Sequence, residues 1–237
     1  MRHKNHAQFW RVAALALVCL LLMLLPACGK APAGDVLLCR DEPYSNYAAA
    51  MRQVLPDFSV QQYEHTPFVS IKNGQAAEVF DFQARTALRH SMAAYWYPQY
   101  LATVVIAVDR AQTDAVIKGW EDLPAAGETV ALSVVGSDGA VLLAAAAYGL
   151  EGEAYTHKSA IELIAALQAA GHFAHSTFDA PVVICYDYQA VAQMRAGRDF
   201  EIIIPQEGTL TYEKGVLSDK ALPHMGTAAA LLNAGFR

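Results

Sequence analysis

Residues 202–209, Ile-Ile-Ile-Pro-Gln-Glu-Gly-Thr, form an apolar run that breaks into a carboxylate, a glycine and a hydroxyl. Glu207 is an acceptor, Thr209 is both donor and acceptor, and Gly208 lets backbone come close to whatever lies beside it. The same three residues also suit a tight turn whose side chains cap neighbouring backbone groups. Ser137, Asp138 and Gly139 open an alanine-rich stretch. A helix starting there would aim free N–H groups at an anion, although Ser137 is equally a helix cap and the Asp138 carboxylate repels anions. The ends of apolar runs supply the other candidates: Asp41, Glu42 and Tyr44; Gln83 and Arg85; Tyr186, Asp187 and Tyr188. Ligands of open α/β sheets lie at such strand ends. Tyrosines with carboxylates suit a cation, a polyamine or a thiamine-like ring, or ferric ion held by phenolates, while Arg85 keeps an anion open.

Other chemistries lack their residues. No glycine-x-serine-x-glycine elbow surrounds Ser137 and no phosphate-binding GxxxxGK[ST] loop exists, which argues against a serine hydrolase or an NTPase. His172 and His175 are spaced for one face of a helical turn, but no further ligand stands near them, so no metal site is expected. No cofactor is called for. With 17 basic and 23 acidic residues and no basic block after the first dozen positions, nucleic acid is excluded as a partner.

The elements that must position these groups alternate. A strand at Asp35–Cys39 leads to a helix over 47–55 capped by Asn46, then to strands at Phe58–Tyr63 and Val79–Phe82. The β-branched run Tyr100–Arg110 reads as a central strand covered on both faces. Another strand, over 129–135, precedes a helix from Ser137 that stops at Gly149. A second helix starts with Ser159 and Glu162 at capping-box spacing and ends at Gly171. A strand at Val182–Cys185, a loop at Tyr186–Tyr188, a helix to Gly197, a strand over 200–205 and a helix over 227–235 complete the chain. The alternation predicts an α/β fold with mixed, mostly parallel sheets and no internal repeat.

The N-terminus has its own logic. Arg2, Lys4 and Arg11 precede an uncharged apolar run of 14 residues, Val12–Leu25, shorter than the roughly 20 a spanning helix needs. It reads as an export signal. Leu25-Pro26-Ala27-Cys28 resembles the lipobox of bacterial lipoproteins, which implies cleavage before Cys28, diacylglycerol on its thiol and a membrane anchor. An ordinary signal with a chance cysteine is the alternative. Residues 1–27 are then the signal peptide and 28–34 a flexible tether. Cys39 and Cys185 remain for the folded part, either as buried thiols or as a disulfide that export would permit.

The order of the central strand over 100–110, the strand and alanine-rich helix near 137, the segment 180–197 and the strand ending in Pro205-Gln-Glu-Gly-Thr209 resembles the type 2 periplasmic binding proteins, the solute-binding subunits of ABC importers. The resemblance implies two lobes, residues 35–104 with 200–237 and residues 105–199, closing on a small ligand. It implies that Glu207, Gly208 and Thr209 face the cleft where the chain passes between lobes, that an ABC permease is the partner, and that the protein is no enzyme. A lipid on Cys28 would place it in the cell envelope. The alternatives are an envelope hydrolase or transferase with Asp187 or Glu207 as base, and a truncated lipoprotein acting through protein contacts.

Overall fold

The computed structural model describes residues 35–40, 45–63, 67–134, 136–175, 178–222 and 231. The expectations for the signal peptide, Cys28, the tether, Asp41, Glu42, Tyr44, the Ser137 side chain and the C-terminal helix lie outside the described residues. The compact unit begins at Asp35. Its elements are β1 (Val36–Arg40), α1 (Tyr47–Val54), β2 (Ser59–Tyr63), α2 (Phe68–Lys72), β3 (Ala76–Phe80), α3 (Asp81–Arg89), β4 (Tyr95–Asp109), β5 (Val130–Leu132), α4 (Gly136–Glu151), α5 (Lys158–Ala169), β6 (Phe173–Ala174), β7 (Val182–Tyr186), α6 (Asp187–Arg195), β8 (Phe200–Ile203) and β9 (Thr211–Ser218).

The strands join in one mixed sheet, in the order β2-β1-β3-β9-β4-β7-β5-β6, with β8 also on β4. Pairings among β1, β2 and β3 and among β5, β6 and β7 are parallel, whereas every pairing of β4 or β9 is antiparallel. Strand β4 organises the whole. Its first part, Tyr95–Thr103, pairs with β9, and its second part, Val104–Asp109, pairs with β7 and β8. Side chains alternate across a strand. Val104, Ile106 and Val108 therefore enter a core with Trp120, Leu123 and Leu142, while Val105 and Ala107 enter another with Phe178, Val183 and Phe200. Among the described residues no helix is long and apolar enough to cross a membrane.

Several expected boundaries move, each for a local reason. Asn46 stands before α1, but its side chain makes no capping bond. The strand expected over Val79–Phe82 ends at Phe80, because the Gln83 Oε1 accepts the Phe80 N–H at 3.1 Å and turns the chain directly into α3. The loop expected over Tyr186–Tyr188 does not exist for the same reason: the Gln189 Oε1 accepts the Tyr186 N–H at 3.1 Å and α6 starts at Asp187. These two junctions, Val79–Ala84 (VFDFQA) and Cys185–Ala190 (CYDYQA), are a short internal repeat that the sequence reading missed. Strand β9, strand β6 and the single-turn helix α2 were not expected either.

Helix α4 continues past Gly149, which is no terminator. A Cβ there would lie 2.5 Å from the Gly208 carbonyl oxygen and 2.5 Å from the Trp120 Nε1, so the position is glycine because two other segments touch the helix backbone. Gly149→Ala is expected to destabilise the fold by about 1–3 kcal/mol of overpacking, reduced by up to about 1 kcal/mol of helix propensity. A lower urea midpoint at unchanged slope would show it.

The capping box expected from Ser159 and Glu162 is replaced by a longer-range cap. Glu162 instead pairs with Lys158 at 3.6 Å on the surface. The cap is Glu151, the last residue of α4, whose carboxylate accepts the Thr156 N–H at 2.6 Å, the Ser159 N–H at 2.7 Å and the Thr156 hydroxyl at 2.8 Å. The Thr156 and Ser159 backbone N–H groups hold this carboxyl down from 4.5 to about 2. A depressed folded-state value means the cap's contribution is fully present above pH 4.5 and is lost as pH falls through about 2. An NMR titration of the Glu151 carboxyl carbon should find its midpoint near 2, whereas a midpoint near 4.5 would mean the cap does not form in solution.

Candidate functional site

The functional geometry gathers where β4 exchanges partners. Strands β8 and β9 follow one another antiparallel to β4, and residues 204–210 bridge them. The Val104 N–H still reaches the Leu210 carbonyl at 3.0 Å, and the Thr209 hydroxyl donates to the Val104 carbonyl at 2.7 Å. The rest of the bridge docks on the 118–121 turn. Gln206 N–H donates to the Lys118 carbonyl at 3.0 Å, and the Glu207 carboxylate accepts the Trp120 and Glu121 N–H groups, each at 3.1 Å. Gly208, at φ +109°, presents its carbonyl to the Trp120 Nε1–H at 2.8 Å. Glu207 and Thr209 are thus committed to backbone groups.

Beside this bridge the two repeated junctions meet. Each sets a ring before and after its aspartate, and each ring pair stacks: Phe80 and Phe82 at 5.3 Å and 13°, Tyr186 and Tyr188 at 5.6 Å and 9°. Phe80 also contacts Tyr186, at 6.1 Å between ring centres. Into this cluster β9 inserts Lys214, which is wholly buried. Its Nζ donates to the Tyr188 hydroxyl at 3.4 Å and lies 3.7 Å from the Glu78 Oε1. Glu78, on β3, is buried as well and accepts the Tyr100 hydroxyl at 2.5 Å and the Arg40 N–H at 2.9 Å. A second buried cation, Arg40 at the end of β1, pairs with Asp138 in the first turn of α4 and lies over the Phe80 ring at 5.2 Å. Paired charges and their extra hydrogen bonds keep such burial tolerable.

An open cavity of about 460 Å³ adjoins the cluster. Asp81, Phe82 and Arg85 of α3 line one side, Ala140, Val141 and Ala144 of α4 another, and Tyr155 and Leu210–Tyr212 close it. Arg85 forms an ion pair with Asp81 one helical turn before it and is otherwise well exposed. Tyr212 donates its hydroxyl to the Val141 carbonyl at 3.1 Å, and burial pushes its phenol up.

The sequence candidates therefore separate. Arg85 lines the cavity, and Gln83 caps α3. Asp138 is the partner of Arg40, and Gly139 is buried, with space for a Cβ only 3.1 Å from the Val134 carbonyl oxygen. Tyr186 and Tyr188 meet, but the cation beside them is the chain's own Lys214. Asp187 accepts the Thr103 N–H at 3.2 Å and the Tyr188 N–H at 2.8 Å, and burial raises its carboxyl despite these bonds. Cys39 and Cys185 are free, buried thiols, each pushed up by burial. Among the described residues no cluster of three His, Cys, Asp or Glu could hold a metal, and His175 instead stands edge-on to Phe173 at 4.8 Å. Arg40, Glu78, Phe80, Tyr155, Lys214 and Tyr212 were missed, although the repeated aromatic-Asp-aromatic-Gln-Ala pattern pointed to Phe80.

No protein-family model matches the chain, and its sequence matches no curated protein. Solved structures do match its fold. The sulfate-binding protein SubI of Mycobacterium tuberculosis H37Rv superposes with a TM-score of 0.56 at 15% identity, over 86% of this chain and 81% of that one. The periplasmic binding protein AfuA of Actinobacillus pleuropneumoniae, solved with fructose-6-phosphate, gives 0.58 at 16% identity over 84% and 77%. The spermidine/putrescine ABC transporter substrate-binding protein PotD of Streptococcus pneumoniae gives 0.53 at 10% identity over 85% and 77%. The chain has the mixed α/β fold of the periplasmic binding proteins.

Proposed function

We propose that the chain is the lipid-anchored solute-binding component of an ABC importer, taking a small molecule into the cavity between α3, α4 and the start of β9. The observation that carries this reading is the two-sided lining of that cavity in a fold that solved substrate-binding proteins share. Residues 35–104 with the chain after 210 form one lobe and 105–203 the other, the expected break at 200 moving past β8 because that strand pairs with Ile106–Asp109, and closure bends the chain at the β4 partner exchange and at residues 204–210. Export and cleavage leave Cys28 acylated in the cell envelope, and a permease recognises the closed form. The protein works by stoichiometric capture, without turnover.

The lining defines what fits. Arg85 and Asp81 offer either sign of charge, Phe82, Tyr155 and Tyr212 offer rings, and Ala140, Val141 and Ala144 offer an apolar wall. A small solute with a flat or apolar body and one charged end fills such a space. The structural neighbours are named for sulfate and for spermidine and putrescine, and one was solved with a sugar phosphate, so their names do not choose the sign.

Native mass spectrometry of protein from its host, then thermal shifts with polyamines, thiamine, ferric ion and oxyanions, tests the reading. A ligand is expected to raise the melting temperature in a concentration-dependent way. Ala140→Trp, on an exposed position of the cavity wall, is expected to abolish that rise and leave the unliganded melting temperature unchanged. A rise that survives Ala140→Trp, consumption of the ligand, or no response to any class would overturn it.

A further inference from the structure

Lys214 sits opposite Phe80 in the β3–β9 pair, on a strand whose last residues are all buried. Its ammonium lies 4.8 Å from the ring centre of Phe80, 5.5 Å from those of Tyr100 and Tyr186, and 5.6 Å from that of Tyr188. Glu78 supplies the carboxylate and Tyr188 the hydroxyl acceptor. Several ring faces around one ammonium, with an anion beside it, is the arrangement by which aromatic cages recognise alkylammonium guests. The buried cations of a protein are ordinarily held by carboxylates and carbonyls, and four rings around one lysine exceed what charge balance requires.

We infer that this cluster is an alkylammonium-binding site whose guest is the chain's own Lys214. Phe80 and Tyr100 come from β3 and the first part of β4, and Tyr186 and Tyr188 from the β7–α6 junction beyond the partner exchange. The tethered ammonium therefore joins neighbouring central strands on either side of the partner exchange, and a free amine has no room in the cage while Lys214 fills it. The inference stands on the cage alone and does not depend on the solute-binding reading.

Removing the side chain beyond Cβ takes away three methylenes and the ammonium, the skeleton of propylammonium. Lys214→Ala should thus open a hole of that guest's shape and charge. Full-length Lys214→Ala is titrated with propylammonium chloride, with 1-propanol, tetramethylammonium chloride and sodium chloride as controls, and its melting temperature is followed. Propylammonium is expected to raise it progressively, a tenfold excess over the dissociation constant multiplying the folding constant about tenfold. The wild type is expected not to respond, and the controls to do far less. An equal response to 1-propanol or to sodium chloride, or the same response in the wild type, overturns the inference. Should Lys214→Ala not fold, the reading is recovery of folded protein on refolding. Recovery with propylammonium only supports the cage as an amine site. No recovery, while the uncharged double variant Glu78→Gln, Lys214→Met refolds, overturns it.

Discussion

Replacing Glu78 by Gln is expected to lower the unfolding free energy by roughly 3–5 kcal/mol, the cost of leaving a buried charge without its partner. Gln is nearly the same size; its single oxygen takes the Arg40 N–H that Glu78 Oε2 accepts, while its NH2 replaces the Oε1 that accepts the Tyr100 hydroxyl, which must turn to accept instead. The larger change is that the Lys214 ammonium loses the carboxylate 3.7 Å away in a buried site. Lys214→Met is expected to cost a similar amount by the mirror argument, since it strands Glu78. Combining the two removes both charges and fills the lysine's path with an apolar chain of comparable length. The double variant is expected to lose less than the sum of the single losses by several kcal/mol, because a neutral buried pair no longer needs to be solvated. Urea unfolding of the four proteins gives the coupling directly. Additive losses would mean that Glu78 and Lys214 do not interact in solution.

Trp120→Ala is expected to cost about 3–5 kcal/mol, the range for emptying a large aromatic site. Trp120 is the largest wholly buried side chain among the described residues. Three segments close on it: the β4 residues Val104 and Ile106 in the shared core, Gly149 of α4 against its indole, and Gly208 through the Nε1–H bond. Relaxation into the cavity is hindered because Glu207 separately holds the backbone of residues 120 and 121. Trp120→Phe keeps most of the volume and loses the indole donor, leaving the Gly208 carbonyl short of a partner. It should cost about 1–3 kcal/mol, and the difference between the two variants separates volume from hydrogen bond. A loss for Trp120→Ala within the range of ordinary surface substitutions would show that the 118–121 turn is not docked.

How much of this could be read beforehand depends on whether a residue's partners are near it in sequence. Strands β4, β7 and β8 announce themselves through β-branched runs, and their cluster of Tyr186, Asp187 and Tyr188 directly follows a buried strand. Strand β9 does not, because Lys214 stands at the start of its buried residues and lysine is rarely enclosed. Its burial makes sense only with Glu78, far away on β3 yet in the neighbouring strand. Arg85 was legible as a charge after an apolar segment, but Ala140 on α4 and Tyr155 in the connection after it reach the same cavity through tertiary packing, which periodicity does not set. Glu207 was expected to face a cleft, and its carboxylate is held by backbone instead. The reason, two N–H groups of the 118–121 turn, is a contact across more than eighty residues. The VFDFQA and CYDYQA pair escaped notice because it is far shorter than the repeats that make solenoids, and its meaning lies in a backbone turn shared by two strand ends.

The exchange of partners on β4 has an implication for how this chain can vary. Thr103 and Val104 belong to one unbroken strand, so a single peptide sets the phase of everything on either side of it. One inserted residue there would leave Tyr95–Thr103 seated on β9 and turn the remainder over. Val104, Ile106 and Val108 would leave the Trp120 side for the Phe200 side, trading places with Val105 and Ala107. Length changes are therefore tolerable in the surface connections of this protein and lethal at that one link, where two hydrophobic interiors share a common clock.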